Sequence, residues 1–295
     1  MPGFLYLVPL TLGKSAPLLF ASAGGLLSEA SGVINFALEA MMLSGAFAAV
    51  WAAHATGSPW AGLAAGACAG MAVGFLHAAA SLWLRANQIV SSIALNLLAA
   101  GTTGLLLNQV FGVYGTSPEA PKLPGLAGGL VGELFHGMGV LVLFALVLAP
   151  AVSVFFRWTV WGLHVRACGE SPEAATAAGL AVGRIRFFSV VAGGALAGAG
   201  GAFLSIGELS QFVEQITQGR GYLAVVALIL GRWRPAGVWL AVLVFGFGEA
   251  LSEWLAVRWT GLPSQIFLAF PYLVCLGALI CFRGARWPPS ALGKA

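Results

Sequence analysis

Apolar residues run along this chain in blocks long enough to cross a lipid bilayer. A hydrocarbon core about 30 Å thick needs about 20 mostly apolar residues per helical crossing. Blocks of that length fall at 8–28, 33–56, 59–84, 87–111, 135–157, 187–207, 236–257 and 262–282. A shorter apolar piece, GRGYLAVVALILG, occupies 219–231. At about 1.5 Å per residue its apolar part covers roughly half the membrane. It reads as a half-helix, or as a crossing completed by unwound chain. Such broken elements persist only where protein or a water-filled cavity surrounds the freed backbone. The pattern predicts an all-α membrane protein, one membrane-embedded domain over 1–295. It would have about nine transmembrane helices (roughly 8–10), one of them short or broken.

Two longer polar connections separate the blocks. One, 112–134, is rich in Gly and Pro. The other, 157–186, carries Arg157, Arg166, Arg184 and Arg186. Lys and Arg concentrate in cytoplasmic loops, so 157–186 is placed inside the cell. Alternation of the crossings then puts the N-terminus outside. If 219–231 crosses, Arg232, Arg234 and the 283–294 basic residues also fall inside. Lys122, Arg220 and Arg258 are left on the other side.

Within 157–186 the order Ser171-Pro172-Glu173 starts a helix. Ser suits the N-cap, Pro the first helical position, and Glu the positive end of the helix dipole. Gly179 ends it after about seven residues. So short a helix either fills a groove on a cytoplasmic partner or lies as a turn on the membrane surface. Spacing alone does not choose between the two.

Composition narrows the function classes. Hydrophobic residues make up 59% of the chain and charged residues 8%, too few charges to clothe a water-facing surface. The acids are all Glu. The net charge of +4 comes from fourteen basic residues without a Lys/Arg run, so it is no nucleic-acid footprint. Cys68, Cys168, Cys275 and Cys281 form no CxxC pair, and His54, His77, His136 and His164 are far apart. HExxH and GxSxG are missing. Gly13-Lys14-Ser15 ends like a phosphate-binding loop, but position 8 is Val where that motif needs Gly. The chain reads as a non-enzyme that binds no cofactor or metal. Ala21-Ser22-Ala23 looks like a signal cleavage site, yet a positive leader is missing and Lys14 interrupts the apolar stretch.

Inside the blocks, Gly62, Gly66, Gly70 and Gly74 recur every four residues, and Gly194 and Gly198 do the same. Small residues at this spacing let helix backbones approach closely in lipid. Ionisable and amide groups at membrane depth are costly and mark candidate functional positions. Asn35, Glu39, Asn96 and Glu249 are expected to face the bundle interior. They either line a polar route for a solute or hydrogen-bond neighbouring helices and fix their register. Glu253 shares a helix face with Glu249 and is expected to have a structural role or to pair with Arg258. His77 is expected to be a packing residue.

Several segments carry a family resemblance. Glu173-Ala174-Ala175-Thr176-Ala177-Ala178-Gly179 reads EAAxxxG and resembles the cytoplasmic coupling motif of ABC importer permeases. Ser31 to Met42 resembles the SGVxNxGxEGMM segment of the branched-chain amino acid, ribose and nucleoside branch. Leu84 to Val90, with Ala94-Leu95-Asn96, resembles its LRANQIVSGxALN, and Arg220 to Trp233 its GRGxxALAxxIxGRW. The likeness spans about 11–282 and is greatest for the shorter nucleoside-type permease. Ala37 and Ala40 stand for two glycines of that pattern, and Glu249 for an Asp.

The resemblance implies a multi-pass subunit of the bacterial cytoplasmic (inner) membrane. It implies a separate ABC ATPase subunit that uses ATP and Mg, a second, non-identical permease, and an extracytoplasmic substrate-binding lipoprotein. Glu170, Glu173, Ala174, Ala175 and Gly179 would couple to the ATPase. Ribose, another simple sugar or a branched-chain amino acid are alternative solutes. A secondary transporter working without ATP is the rival from another class.

Overall fold

A computed structural model describes residues 7–125, 139–258, 269, 272–273, 276–277 and 288–294. Ten helices are named here, in chain order: α1 Leu7–Ala30, α2 Leu38–Thr56, α3 Pro59–Ala78, α4 Gln88–Phe111 and α5 Val140–Trp158. They continue with α6 Val160–Glu170, α7 Pro172–Ala177, α8 Val182–Ala202, α9 Arg220–Leu230 and α10 Pro235–Arg258. Wider π-helical turns extend α3 through Ala79–Trp83 and α8 through Phe203–Leu209. Among the described residues seven helices are long and apolar enough to cross a membrane: α1, α2, extended α3, α4, α5, extended α8 and α10. The block at 262–282 lies almost wholly outside the described residues. The protein is an all-helical, multi-pass membrane protein.

Three stretches differ from the sequence pattern, each for a local reason. The block at 33–56 becomes helical only at Leu38. Before it, Gly32 takes a left-handed φ of 102°, and the Asn35 side chain accepts from the Ala37 N–H at 3.1 Å. That turn competes with helix and holds 31–37 as buried irregular chain. The block at 187–207 starts earlier, at Val182, and runs on to Leu209. Third, 160–170 is helical where the mixture of charged and apolar residues suggested loop. Thr159 starts α6 by accepting from the Gly162 N–H at 3.0 Å.

Extended α8 is the central post, packed by α1, α2 and α3. Gly62, Gly66, Gly70 and Gly74 are all buried on one face of α3. Gly194 and Gly198 are buried on α8 opposite them. A Cβ on Gly198 would stand 2.8 Å from the Gly70 Cα and 3.0 Å from the Gly70 nitrogen. No side chain fits there, so the two backbones touch. In lipid the apolar effect between helices is weak, and this contact area supplies dispersion attraction in its place.

One end of the bundle is closed by loop-on-loop pairing. Residues 117–123 donate backbone N–H groups to the carbonyls of Ile206, Ser210 and Phe212, at 2.8–3.0 Å. Those carbonyls lie at and beyond the end of extended α8, where they have no helical partner. Lys14 pairs with Glu208 at 2.6 Å, and Lys122 donates to the Glu208 carbonyl at 2.9 Å.

The α3–α8 contact makes a direct prediction. Gly198→Val should destabilise the protein by about 1–3 kcal/mol or more through overpacking. Gly101, exposed on α4 with open space around it, is the control, and Gly101→Ala should melt like the parent. Thermal unfolding in detergent, followed by tryptophan fluorescence, measures both. An unshifted Gly198→Val melt would remove the contact from its central place.

Candidate functional site

The chain between α8 and α9 is unwound and strained. Ser210, Gln215 and Gln218 all take positive φ, followed by Gly219 at 82°. Non-glycine residues in that region persist only when their surroundings hold them. Phe212 and Glu214 fasten the start of this segment to the loop after α4: the Phe212 N–H donates to Ser117 Oγ at 2.9 Å, and the Glu214 N–H to the Gly115 carbonyl at 2.9 Å. The far end of α9 lies at the other end of the bundle. There Trp233 Nε1 donates to Glu29 Oε2 at 2.5 Å, close to where α1 finishes. So 210–219 descends part-way as irregular chain and α9 completes the passage as a half-length helix. There the N–H groups of Arg220, Tyr222 and Leu223 bond the Thr217 and Gly219 carbonyls, which leaves those of Gly219 and Gly221 at the start of α9 to side chains.

Glu39 meets them. Its Oε1 accepts from Thr217 Oγ1 at 2.5 Å and from the Gly219 N–H at 2.9 Å. Its Oε2 accepts from the Gly221 N–H at 2.7 Å. Gly221 also lets α2 come close, since a Cβ there would stand 2.5 Å from the Glu39 Cα. Glu39 itself sits in the first turn of α2. Thus the positive ends of α2 and α9 converge on one carboxylate, the arrangement that helix dipoles favour.

Asn96 closes the other side. Its Oδ1 accepts from the Ala40 N–H at 3.0 Å, an N–H at the start of α2. Its Nδ2 donates to the Phe36 carbonyl at 3.0 Å and to the Tyr222 hydroxyl at 2.9 Å. Arg220 and Glu249 form an ion pair between α9 and α10, with side chains 14% and 20% exposed. Tyr272 adds a hydrogen bond from its hydroxyl to the Gln218 carbonyl, at 2.8 Å. Glu39, Asn96 and Glu249 thus belong to one polar layer, joined through Thr217, Arg220 and Tyr222.

Asn35 lies beside this layer. It is fully buried, and its Nδ2 donates to Ser28 Oγ at 3.0 Å. Both ends of its amide serve the turn 28–37. Ile34, next to it, is held by the Gln88 side chain on its N–H (2.7 Å) and by His77 Nε2 on its carbonyl (2.9 Å). His77 also pairs with Ser91 Oγ at 3.2 Å, so it fastens the turn as well as packing. Glu253 finds a partner other than Arg258. It pairs with Lys14 at 3.1 Å, while the Arg258 guanidinium stacks 4.1 Å over the Trp254 ring. Lys14 on α1 faces α10 directly and is the nearer cation.

The short helix α7 stands apart from the polar layer. Ser171 caps it by accepting from the Ala174 N–H at 3.4 Å. Gly179 ends it with φ 83° and donates its N–H to the Thr176 carbonyl at 2.9 Å. Glu170, Glu173, Ala174 and Gly179 are exposed, and Ala175 is buried beneath them. Glu170 accepts from the Ser290 hydroxyl at 3.1 Å.

Thr217 and Tyr222 were not singled out by sequence reasoning. The signal for them was Gly219-Arg220-Gly221 at the head of a piece too short to span. Two close glycines at a helix start mark a backbone that something else must approach.

Bilayer-length helices, with a half-helix whose end is held by buried polar groups, define a membrane transport architecture. The chain belongs to the family of branched-chain amino acid transport system permease components, whose pattern matches residues 9–279. It is similar to the guanosine ABC transporter permease protein NupQ of Bacillus subtilis. The two are 35% identical, over 97% of this chain and 95% of the relative. The putative glucose ABC transporter permease protein TsgC13 of Haloferax volcanii is 34% identical, over 91% and 89%. The nucleoside ABC transporter permease protein NupC of Lactococcus lactis is 33% identical, over 95% and 92%. No solved structure matches.

The Arg220–Glu249 pair can be tested by a double-mutant cycle. Arg220→Gln and Glu249→Gln each leave one charge unpaired in a mostly buried setting and should cost about 2–4 kcal/mol. The double variant should regain more than about 1 kcal/mol of the summed loss. Strictly additive losses in detergent melts would show that the two residues act independently.

Proposed function

We propose that this chain is the transmembrane subunit of an ATP-driven importer whose solutes are nucleosides. The carrying observation is the full-length likeness to permeases named for guanosine and for nucleosides. In this reading the 210–231 segment and the 262–282 block each cross, making about nine spans with the seven long helices. The N-terminus lies outside and α7 in the cytoplasm. Arg85, Arg157, Arg166, Arg184, Arg232 and Arg234 are then all at the cytoplasmic end, as the positive-inside bias requires.

The polar layer supplies the solute path. Glu39, Asn96, Thr217 and Tyr222 offer donors and acceptors suited to sugar hydroxyls and base edges, and Asn35 and Glu249 fix their positions. Such groups need bind only weakly, because a deep well would hold the solute in transit. An extracytoplasmic binding lipoprotein supplies the affinity. A second permease completes the path, and a separate ATPase subunit hydrolyses ATP with Mg. Closure of that ATPase pushes on α7, where Glu173, Ala174 and Gly179 are exposed for contact and Glu170 and Ala175 anchor the helix. The bundle then rocks between outward-open and inward-open states.

A sugar reading is favoured by one observation, the 34% identity to the permease named for glucose. Uptake of labelled guanosine into membrane vesicles decides between them. Excess unlabelled nucleoside should abolish the signal and excess glucose should leave it; equal competition by glucose, or competition by glucose alone, overturns the nucleoside assignment.

The coupling role has its own test. Gly179→Arg forces a side chain into a left-handed backbone, and Glu173→Arg reverses the charge presented at α7. Both should insert normally into the membrane and lose ATP-driven uptake by about tenfold or more. Wild-type uptake by either variant would remove α7 from the coupling path.

A further inference from the structure

Arg186, in the second turn of α8, is 4% exposed. No carboxylate pairs with it among the described residues. Its guanidinium is held by three backbone carbonyls from three separate segments. Nε donates to Ser31 at 3.0 Å, Nη2 to Cys168 at 3.2 Å and Nη1 to Lys294 at 2.7 Å. Ser31 follows the last residue of α1, and Cys168 lies in the last turn of α6. Carbonyls at helix C-termini lack partners and carry the negative end of the dipole. One cation therefore joins the C-termini of α1 and α6. Burial pushes the Cys168 thiol above its ordinary range, the guanidinium opposing, so no thiolate competes for the charge.

The joint is tight and doubly tied. A Cβ on Gly169 would run into the Ala30 carbonyl, so the end of α6 rests directly on the end of α1. The 288–294 segment laces over both. The Ala291 N–H donates to the Gly169 carbonyl at 2.9 Å, and the Gly293 N–H to the Gly32 carbonyl at 3.0 Å. Ser290 reaches Glu170 at 3.1 Å. On one side of the joint, Ser171 begins α7. On the other, the turn 31–37 leads to Glu39 and the start of α9.

We propose that Arg186 is the positioning residue that carries displacement of α7 to the Glu39 layer, with the 288–294 segment as its clasp. The proposal rests on the importer reading above. A push on α7 moves the end of α6. The guanidinium and the clasp make Ser31 and Gly32 move with it. The turn 31–37 is buried and braced end to end by Asn35, which links Ser28 to Ala37, so that motion reaches Glu39. Without the joint, α6 can shift while 31–39 stays, and ATP is spent without solute movement.

The test uses the intact complex, purified from its host membranes through a tag at the N-terminus of this chain and reconstituted in proteoliposomes. ATP hydrolysis and guanosine uptake are measured on the same sample. Arg186→Gln should lower guanosine moved per ATP by about tenfold, with hydrolysis near the parent rate. Arg186→Lys, whose three donors share one nitrogen and do not spread across a planar fork, should fall between. Deleting 288–294, whose hold on Gly169, Gly32 and Arg186 is through its backbone, should shift the ratio the same way by a smaller factor. That deletion keeps the test decisive if Arg186→Gln fails to assemble. An unchanged ratio in the clasp variant and in whichever Arg186 variants assemble overturns the proposal. So does a parallel loss of uptake and hydrolysis, which marks a structural role only. A parent complex that moves no solute with ATP would instead sink the importer reading itself.

Discussion

Peptide groups freed inside a membrane protein must find partners within the protein, and this constraint organises the molecule. Breaking a helix at membrane depth strands N–H groups on one side and carbonyls on the other, each costly without a partner. Here the stranded groups are gathered in two places. The Gly219 and Gly221 N–H groups at the start of α9 converge on the Glu39 carboxylate, and the Ala40 N–H at the start of α2 is taken by Asn96. Carbonyls at the ends of α1 and α6 converge on the Arg186 guanidinium. A carboxylate has only acceptors and a guanidinium only donors, so each suits the helix end it meets. The turn 31–37 is all that separates the two.

These junctions need a stiff frame, which the glycine faces provide. Extended α8 passes through the middle of the bundle, and α3 lies against it closely enough to exclude a methyl group. Close backbone contact leaves little side-chain freedom to lose and little space to rearrange. The frame of α1, α2, α3 and α8 is thus continuous, while the 210–219 segment hangs from it by side-chain hydrogen bonds. Strained φ values cluster in that segment and just after α9. Regions of this kind open more easily than packed helices.

Much of the frame was legible in the sequence because lipid imposes a simple length rule. Seven apolar blocks correspond to the seven long helices, with boundaries moved by a few residues. The half-helix was legible too, since thirteen residues with glycines at both ends cannot span. What lay hidden was chain whose hydropathy misstates its structure. Residues 31–37 are as apolar as their neighbours, so hydropathy merged them with α2; only Gly32 and Asn35 signalled a turn. Helix α6 was hidden for the opposite reason, its buried Val165 and Cys168 interleaved with exposed Arg166 and Glu170. Partners across the bundle were beyond reach of spacing altogether. Glu253 finds Lys14 more than two hundred residues away, and Arg258 settles on a tryptophan ring instead.

The placement of charge carries a consequence for how such a site can work. Glu39 is satisfied by three donors, all from the unwound segment and the start of α9. Any rearrangement that draws α9 away from α2 leaves a carboxylate facing free N–H groups across a gap. Water or hydroxyl-rich solute fills such a gap at low cost, because it replaces each lost hydrogen bond with another. An apolar solute replaces none of them. If the layer lines the solute path as proposed, the groups that lock the bundle when closed favour polyhydroxy solutes when it parts. That preference follows from the count of stranded donors around Glu39 and holds for a nucleoside's ribose and for a free sugar alike. Discrimination between the two must then come from contacts with the base.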